Sequence, residues 1–292
     1  MINRASLIYI GGYGRSGSTL LDAYISSADG FFGLGECANF YESAYQGDSC
    51  ECGEKLTACE FWSGFFNQYD RLQMHGLSVE AKRMDSLILR HSGEKCLRFW
   101  KAFFGYARDK SGEKIIVDSS KTTRETFYRP FNLSIIGEDV IFIYLYKEPS
   151  DLVASLKKGS NKFLAGMNSE KYGFRFLLKS FAGWFVGNVG AVLAVLRLGP
   201  EKSIILNYRD FASDPTIVGR CLENFGVSHV PSEMTEGHGI SGNRTRSSIS
   251  AIHYKKPDIS GFKTMDKVIV IIMTTLLRIF VGVASIYAVK CK

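Results

Sequence analysis

No long basic or acidic run interrupts this 292-residue sequence, and it has neither an interleaved aromatic-basic stripe nor zinc-finger spacing. Those absences remove the usual signatures of nucleic-acid binding, so no nucleic-acid partner is expected. The net charge of +7 then suits an anionic ligand or a membrane surface. No apolar stretch of signal-peptide length precedes the first strand, which sets the expectation of a cytoplasmic protein. No internal repeat is visible. Cysteine is odd in number, at seven, and this argues against a disulfide framework. What is present is an ordinary globular balance, 46% hydrophobic and 22% charged, in a chain long enough for a sizeable core.

Two stretches stand apart from that balance. Cys50, Cys52 and Cys59 cluster, with Cys37 upstream. Four thiolates have the chemistry to hold zinc, but Cys-x-Cys is a tight first pair and no second close pair follows. Structural or free thiols are the expectation, with zinc or a disulfide as the alternative. Near the other end, Val268 to Val289 is almost wholly apolar, broken by Arg278 and softened by Thr274, Thr275 and Ser285. Its length permits a membrane span. A central arginine costs at least about 2.5 kcal/mol on insertion scales. An apolar C-terminal helix over 268–289 packed on the domain is therefore expected, with membrane-surface association as the alternative.

Strand and helix patterns alternate along the chain, which predicts one α/β domain over residues 1–292 with a central, mostly parallel sheet and helices on both faces. Leu7 to Ile10 fits a buried strand, and a glycine loop from Gly11 to Ser18 leads into a helix from Thr19 to Ser27. Phe31 to Leu34 reads as a second strand, parallel to the first, with Glu36 just past its end. Residues 38–110 form a long insertion, irregular and then helical, with helical spacing over Val79 to Arg90 and Leu97 to Tyr106. Its position suits contacts to an acceptor substrate. Further strands are expected over Lys114 to Asp118, Val140 to Tyr146 and Ser203 to Tyr208. Helices are expected from Pro149 to about Lys158, within Phe174 to Leu198, and from Ile217 to Phe225.

The glycine loop is the most informative stretch. Strand, glycine loop and helix N-terminus together make an anion site, because backbone N–H groups converge where the helix carries partial positive charge. Its spacing is nearly that of a nucleotide P-loop: Gly12, four residues, Gly17, then Ser18 and Thr19. An NTPase loop needs lysine where this chain has Ser18. The cation here is Arg15, inside the loop.

A loop of the form GRSGSTLL resembles the 5′-phosphosulfate loop of sulfotransferases that use 3′-phosphoadenosine 5′-phosphosulfate (PAPS). The resemblance extends over most of the chain. It implies that Gly14, Arg15, Ser16, Gly17, Ser18 and Thr19 hold the phosphosulfate. Lys147 and Ser155 match the pair that grips the 3′-phosphate in the family, although Lys147 stands where arginine is usual and gives a point charge instead of a fork. Tyr208, in a Tyr-Arg-Asp-Phe run before Asp214-Pro215, matches a tyrosine near the adenosine. Asn243 and Arg246, in His238 to Arg246, match a loop that closes over the cofactor. Cys50 to Trp62 also resembles a C-x-C-G … C-x-F-W element of bacterial members.

The same resemblance assigns the chemistry. Sulfuryl transfer needs a held donor, a base for the acceptor hydroxyl, and cations facing the charge that develops. Glu36 is the candidate base, at the position of a glutamate in the protein-tyrosine sulfotransferases. Lys121 matches a lysine that steadies the bridging oxygen, and Arg15 shares that work. His238 is a second candidate base, disfavoured by its place in the cofactor loop. The transfer itself requires no metal. The implied acceptor carries a hydroxyl, with carbohydrate favoured. The rival reading is a P-loop NTPase or small-molecule kinase, with Asp118 holding magnesium at the end of a Walker B strand. A third is a membrane-associated binding protein, resting on the apolar C-terminal stretch.

Overall fold

The computed structural model describes residues 5–68, 76, 80, 83–88, 94–157, 173–231, 237–240 and 252–291. Five strands stand where the apolar runs predict them: β1 (Leu7–Gly11), β2 (Phe31–Gly35), β3 (Ile115–Asp118), β4 (Val140–Tyr146) and β5 (Ser203–Asn207). A short β6 (Val289–Lys290) completes a sheet of order β2-β3-β1-β4-β5-β6, in which every neighbouring pair is parallel. The chain first winds to one side of β1 and then to the other. Their common turning point is the C-terminal end of β1, where open parallel sheets bind ligands. β2 lies on the same edge as the glycine loop, as expected, but β3 stands between β2 and β1.

The alternation within the strands builds two cores. Val140, Phe142, Tyr144 and Tyr146 of β4 face one layer with Leu7 and Tyr9. Ile141, Ile143 and Leu145 face the other with Ile8 and Ile10. One face thus carries rings and the other aliphatic chains. The ring-bearing face is covered by α3 (Glu60–Phe66), α4 (Glu94–Ser111) and α7 (Phe174–Leu198). The opposite face is covered by α1 (Ser18–Ser26) and α9 (Ile217–Glu223). Between these lie α2 (Phe40–Gln46), α5 (Arg129–Ile135), α6 (Pro149–Lys157) and α8 (Tyr208–Ser213). The result is the three-layer α/β architecture expected from sequence. Two short helices, α5 and α8, lacked enough apolar periods to register there.

Where described, the insertion is irregular around the short helices α2 and α3 and helical from Glu94, as expected. Helix α4 is longer than expected, and of 79–90 only Glu80 and Arg83 to Asp85 are described as helical, with a turn at Leu87 and Ile88. The apolar C-terminal stretch divides, contrary to the single helix expected over 268–289. Helix α10 spans Thr264–Ala284, and Val289–Lys290 joins the sheet beside β5. That strand brings Cys291 to α9, where it forms a disulfide with Cys221. This one disulfide stands where the odd cysteine count argued against a disulfide framework, and the pairing spans 70 residues that only the fold brings together; Cys37, Cys50, Cys52 and Cys59 are free thiols, as expected. Helix α10 packs on α7 and α6 through Ile269, Met273 and Leu277, and Phe280 meets Trp184. Its other face leaves Val268, Ile271, Ile272 and Ile279 exposed. By length and composition alone, α7 and α10 each suffice to cross a membrane.

Candidate active site

The loop between β1 and α1 is shaped by two glycines. Gly12 has φ +107°, and a Cβ there would lie 2.1 Å from the Leu145 carbonyl oxygen. Gly17 has φ +101°, and its absent side chain lets the Tyr208 ring lie against the loop. Gly17 is also the N-cap of α1 and offers no side-chain cap, so the first N–H groups of the helix are left to the loop. Ser18 and Thr19 open that helix. The buried Ser16 hydroxyl has no hydrogen-bond partner among the described residues. An orphaned hydroxyl, an uncapped helix and an arginine within one loop fit a phosphosulfate.

Arg15 takes a left-handed backbone conformation, φ 72°. Its guanidinium donates to the Ser155 hydroxyl at 3.1 Å and to the Ser155 carbonyl at 3.2 Å. Burial lowers its pKa from the ordinary arginine value, and Tyr13 works in the opposite sense. The glycine loop and α6 are therefore joined through these two residues. Lys147 does not meet Ser155 in any described contact; its ammonium lies 4.0 Å from the centre of the Tyr208 ring. Gly17, Tyr208 and Lys147 thus form one stack at the ends of β4 and β5.

On the other side of the loop, Glu36 and Lys121 form a salt bridge, both side chains mostly buried. Asn39 donates to the second oxygen of Glu36 at 3.5 Å. The strand ends that carry this pair are cross-braced: Ser119 N–H donates to the Gly35 carbonyl at 2.8 Å, and Ala38 N–H to the Ser120 hydroxyl at 3.0 Å. Lys121 also has a left-handed backbone, φ 67°. Its carbonyl accepts from the Tyr9 hydroxyl and, at 2.8 Å, from the Thr126 hydroxyl. Thr122 then fastens the segment to the loop, its N–H donating to the Gly12 carbonyl at 3.0 Å and its hydroxyl accepting from Gly12 N–H at 2.8 Å.

A cavity of about 220 Å³ opens on this pair, lined by Gly14, Glu36, Asn39, Trp100, Ser120, Lys121 and Thr126 among others. Gly14 also borders a smaller hollow with Ser16 and Lys147. The loop therefore separates a carboxylate side from a side lined by Ser16 and Lys147. Of the residues singled out from sequence, Arg15 meets Ser155, Lys147 meets Tyr208, and Glu36 meets Lys121. Asn243 and Arg246 lie outside the described residues.

Asp118 has another occupation. Its Oδ1 accepts from Ser120 N–H at 2.9 Å, and its Oδ2 from Arg129 Nε at 2.9 Å. Arg129 is itself buried, reaches Asp85 at 3.0 Å and Cys37 Sγ at 3.2 Å, and stacks over Trp100 at 4.1 Å. With its charge already matched by a fully buried guanidinium, Asp118 is occupied as an ion-pair partner, which counts against the role of a Walker B magnesium ligand. Sequence reasoning missed Arg129, because nothing local distinguishes a buried arginine from a surface one.

No protein-family model matches the chain, and no curated protein matches it. Solved structures do. The sulfotransferase domain of the curacin biosynthetic pathway aligns with TM-score 0.52 and 17% identity over 93% of this chain and 98% of its own. The sulfotransferase domain of a Synechococcus olefin synthase gives 0.51 and 14%, over 92% and 94%. A sulfotransferase from Mycobacterium avium gives 0.56 and 11%, over 94% and 76%. The fold is that of the sulfotransferases.

Proposed function

We propose that the protein moves the sulfuryl group of PAPS to a hydroxyl of an acceptor, with a carbohydrate acceptor favoured. The observation that carries this reading is the Glu36–Lys121 pair on the cavity bordered by Gly14 of the glycine loop. Bound in that loop, PAPS supplies an activated sulfuryl group on a phosphate leaving group. Glu36 takes the proton of the acceptor hydroxyl as that oxygen bonds to sulfur. The sulfur–oxygen bond to phosphate breaks, and Lys121 and Arg15 face the charge gathering on the departing oxygen. Ser16 and the N-terminus of α1 orient the phosphate, while Lys147, Ser155 and Tyr208 hold the nucleotide end.

Thermal stabilisation tests this against the NTPase reading. Adenosine 3′,5′-bisphosphate without added magnesium is expected to raise the melting temperature, by an amount corresponding to about 2.7 kcal/mol at a hundredfold excess over Kd. ATP with magnesium is expected to do little. The reverse pattern rejects the transferase assignment.

We also propose that the protein is cytoplasmic and rests on anionic membrane surfaces through the outer face of α10. Val268, Ile271, Ile272 and Ile279 supply the apolar contact, and Lys267 and Arg278 the charge. Flotation with phosphatidylserine vesicles but not with phosphatidylcholine vesicles is the expected result. No flotation with either, or self-association through this face, refutes it.

A further inference from the structure

We propose that Cys50, Cys52, Cys59 and His238 bind one zinc ion in a closed, tetrahedral, structural site. This goes beyond sulfuryl transfer and does not rest on it. The four donor atoms all lie within 4.8 Å of one another. Zinc–sulfur bonds of about 2.3 Å and zinc–nitrogen bonds of about 2.05 Å in a tetrahedron require edges of about 3.8 Å between sulfurs and about 3.6 Å from sulfur to nitrogen. Cys52 and Cys59 Sγ are 3.7 Å apart, and His238 Nδ1 is 3.7 Å from Cys50 Sγ and 3.3 Å from Cys59 Sγ. The cluster already has the size of a metal shell. Three thiolates and an imidazole select zinc over hard cations such as magnesium or calcium. With four protein ligands no position stays open for substrate, which makes the role structural.

The sequence hid the fourth ligand. Cys37 looked like the candidate, yet it is engaged by Arg129. His238 comes from 179 residues beyond Cys59. The surrounding structure is built to bring it there. Cys50 and Cys52 sit in a tight turn, with Gly53 N–H donating to the Cys50 carbonyl at 3.0 Å, and Cys59 begins α3. Trp62 Nε1 donates to the His238 carbonyl at 2.9 Å, and Phe61 stacks on the imidazole at 5.1 Å. Gly239 N–H donates to the Glu51 carboxylate at 3.1 Å. Two residues past the histidine, the Ile240 carbonyl accepts from Glu36 N–H at 2.8 Å. Zinc at this point would pin residues 237–240 beside β2 and, through that bond, the backbone of Glu36.

The test is metal content of the full chain, purified under reducing conditions without chelator. About one zinc per chain is expected. Cobalt exchanged into the wild-type protein should give the strong thiolate-to-cobalt charge-transfer and visible bands of a tetrahedral site. Cys59→Ser and His238→Asn should each lower zinc occupancy at least tenfold. Wild-type protein that stays metal-free after incubation with zinc under reduction, and gives no cobalt–thiolate bands, overturns the proposal. So does a folded Cys59→Ser variant with full zinc content, or a Cys52–Cys59 disulfide whose reduction restores no zinc binding. Adenosine 3′,5′-bisphosphate binding is read separately, so failure here is distinct from failure of the transferase assignment.

Discussion

Glu36 and Lys121 leave the sheet from different strands, β2 and β3, and close a salt bridge over the cavity beside Gly14. Each group holds the other at the mouth of the anion loop. On the proposed reading, a donor carrying negative charge competes with Glu36 for the lysine and leaves the carboxylate to the acceptor hydroxyl. Glu36→Gln should lower kcat by about 10²- to 10⁴-fold. Its affinity for adenosine 3′,5′-bisphosphate, measured by calorimetry, should match wild type. Normal turnover by this variant excludes Glu36 as the base.

Ser155 accepts from the Arg15 guanidinium through its hydroxyl at 3.1 Å, and it lies on the helix expected to face the 3′-phosphate. A hydrogen bond to a charged group is worth about 1.5–3 kcal/mol. Ser155→Ala should therefore weaken bisphosphate binding by about 10- to 100-fold. Arg15→Ala should abolish transfer. An unchanged dissociation constant for Ser155→Ala would remove that residue from the site.

Two glycines of the loop should behave oppositely. Gly12→Ala forces a Cβ to 2.1 Å from a backbone oxygen at φ +107°. Left-handed strain alone costs about 1–3 kcal/mol, and each kcal/mol lowers the melting temperature by about 2–4 °C in a chain of this class. Gly14 has no neighbour within 4 Å of an added Cβ, so Gly14→Ala should melt with wild type. Equal melting temperatures for the two variants would contradict this account of the loop.

Stability should depend on pH through His229. Burial is the main cause that lowers its pKa from 6.5. The imidazole lies against the Tyr24 and Phe31 rings, and its Nε2 donates to the Tyr24 carbonyl at 3.3 Å. Below about pH 6.5 the unfolded chain then binds a proton that the folded chain resists, so stability falls with pH. Denaturant titrations between pH 7 and pH 5 should show a steeper loss for wild type than for His229→Gln. Parallel slopes would show that His229 is not the group responsible.

The parts legible in sequence were those set by short-range pattern. Leu7 to Gly11 and Val140 to Tyr146 announced buried strands, and Arg15 with Gly17 announced the loop. What was hidden depended on contacts between distant segments. Strand β3 had to lie between β1 and β2 before Lys121 could meet Glu36. A two-residue strand at Val289–Lys290 is invisible inside an apolar run, and with it went the Cys221–Cys291 pairing. Helices α5 and α8 were too short to show a period. His238 read as part of a cofactor loop, because its three sulfur neighbours stand far away in the chain.

Arg15 and Lys121 share the left-handed backbone that L-residues avoid, at a cost of about 1–2 kcal/mol each. Glycine at either position would relieve that cost and delete the cation. The strain is thus held in place by the contacts the two cations make, and its relief at Lys121 would leave the mostly buried Glu36 carboxylate without its partner.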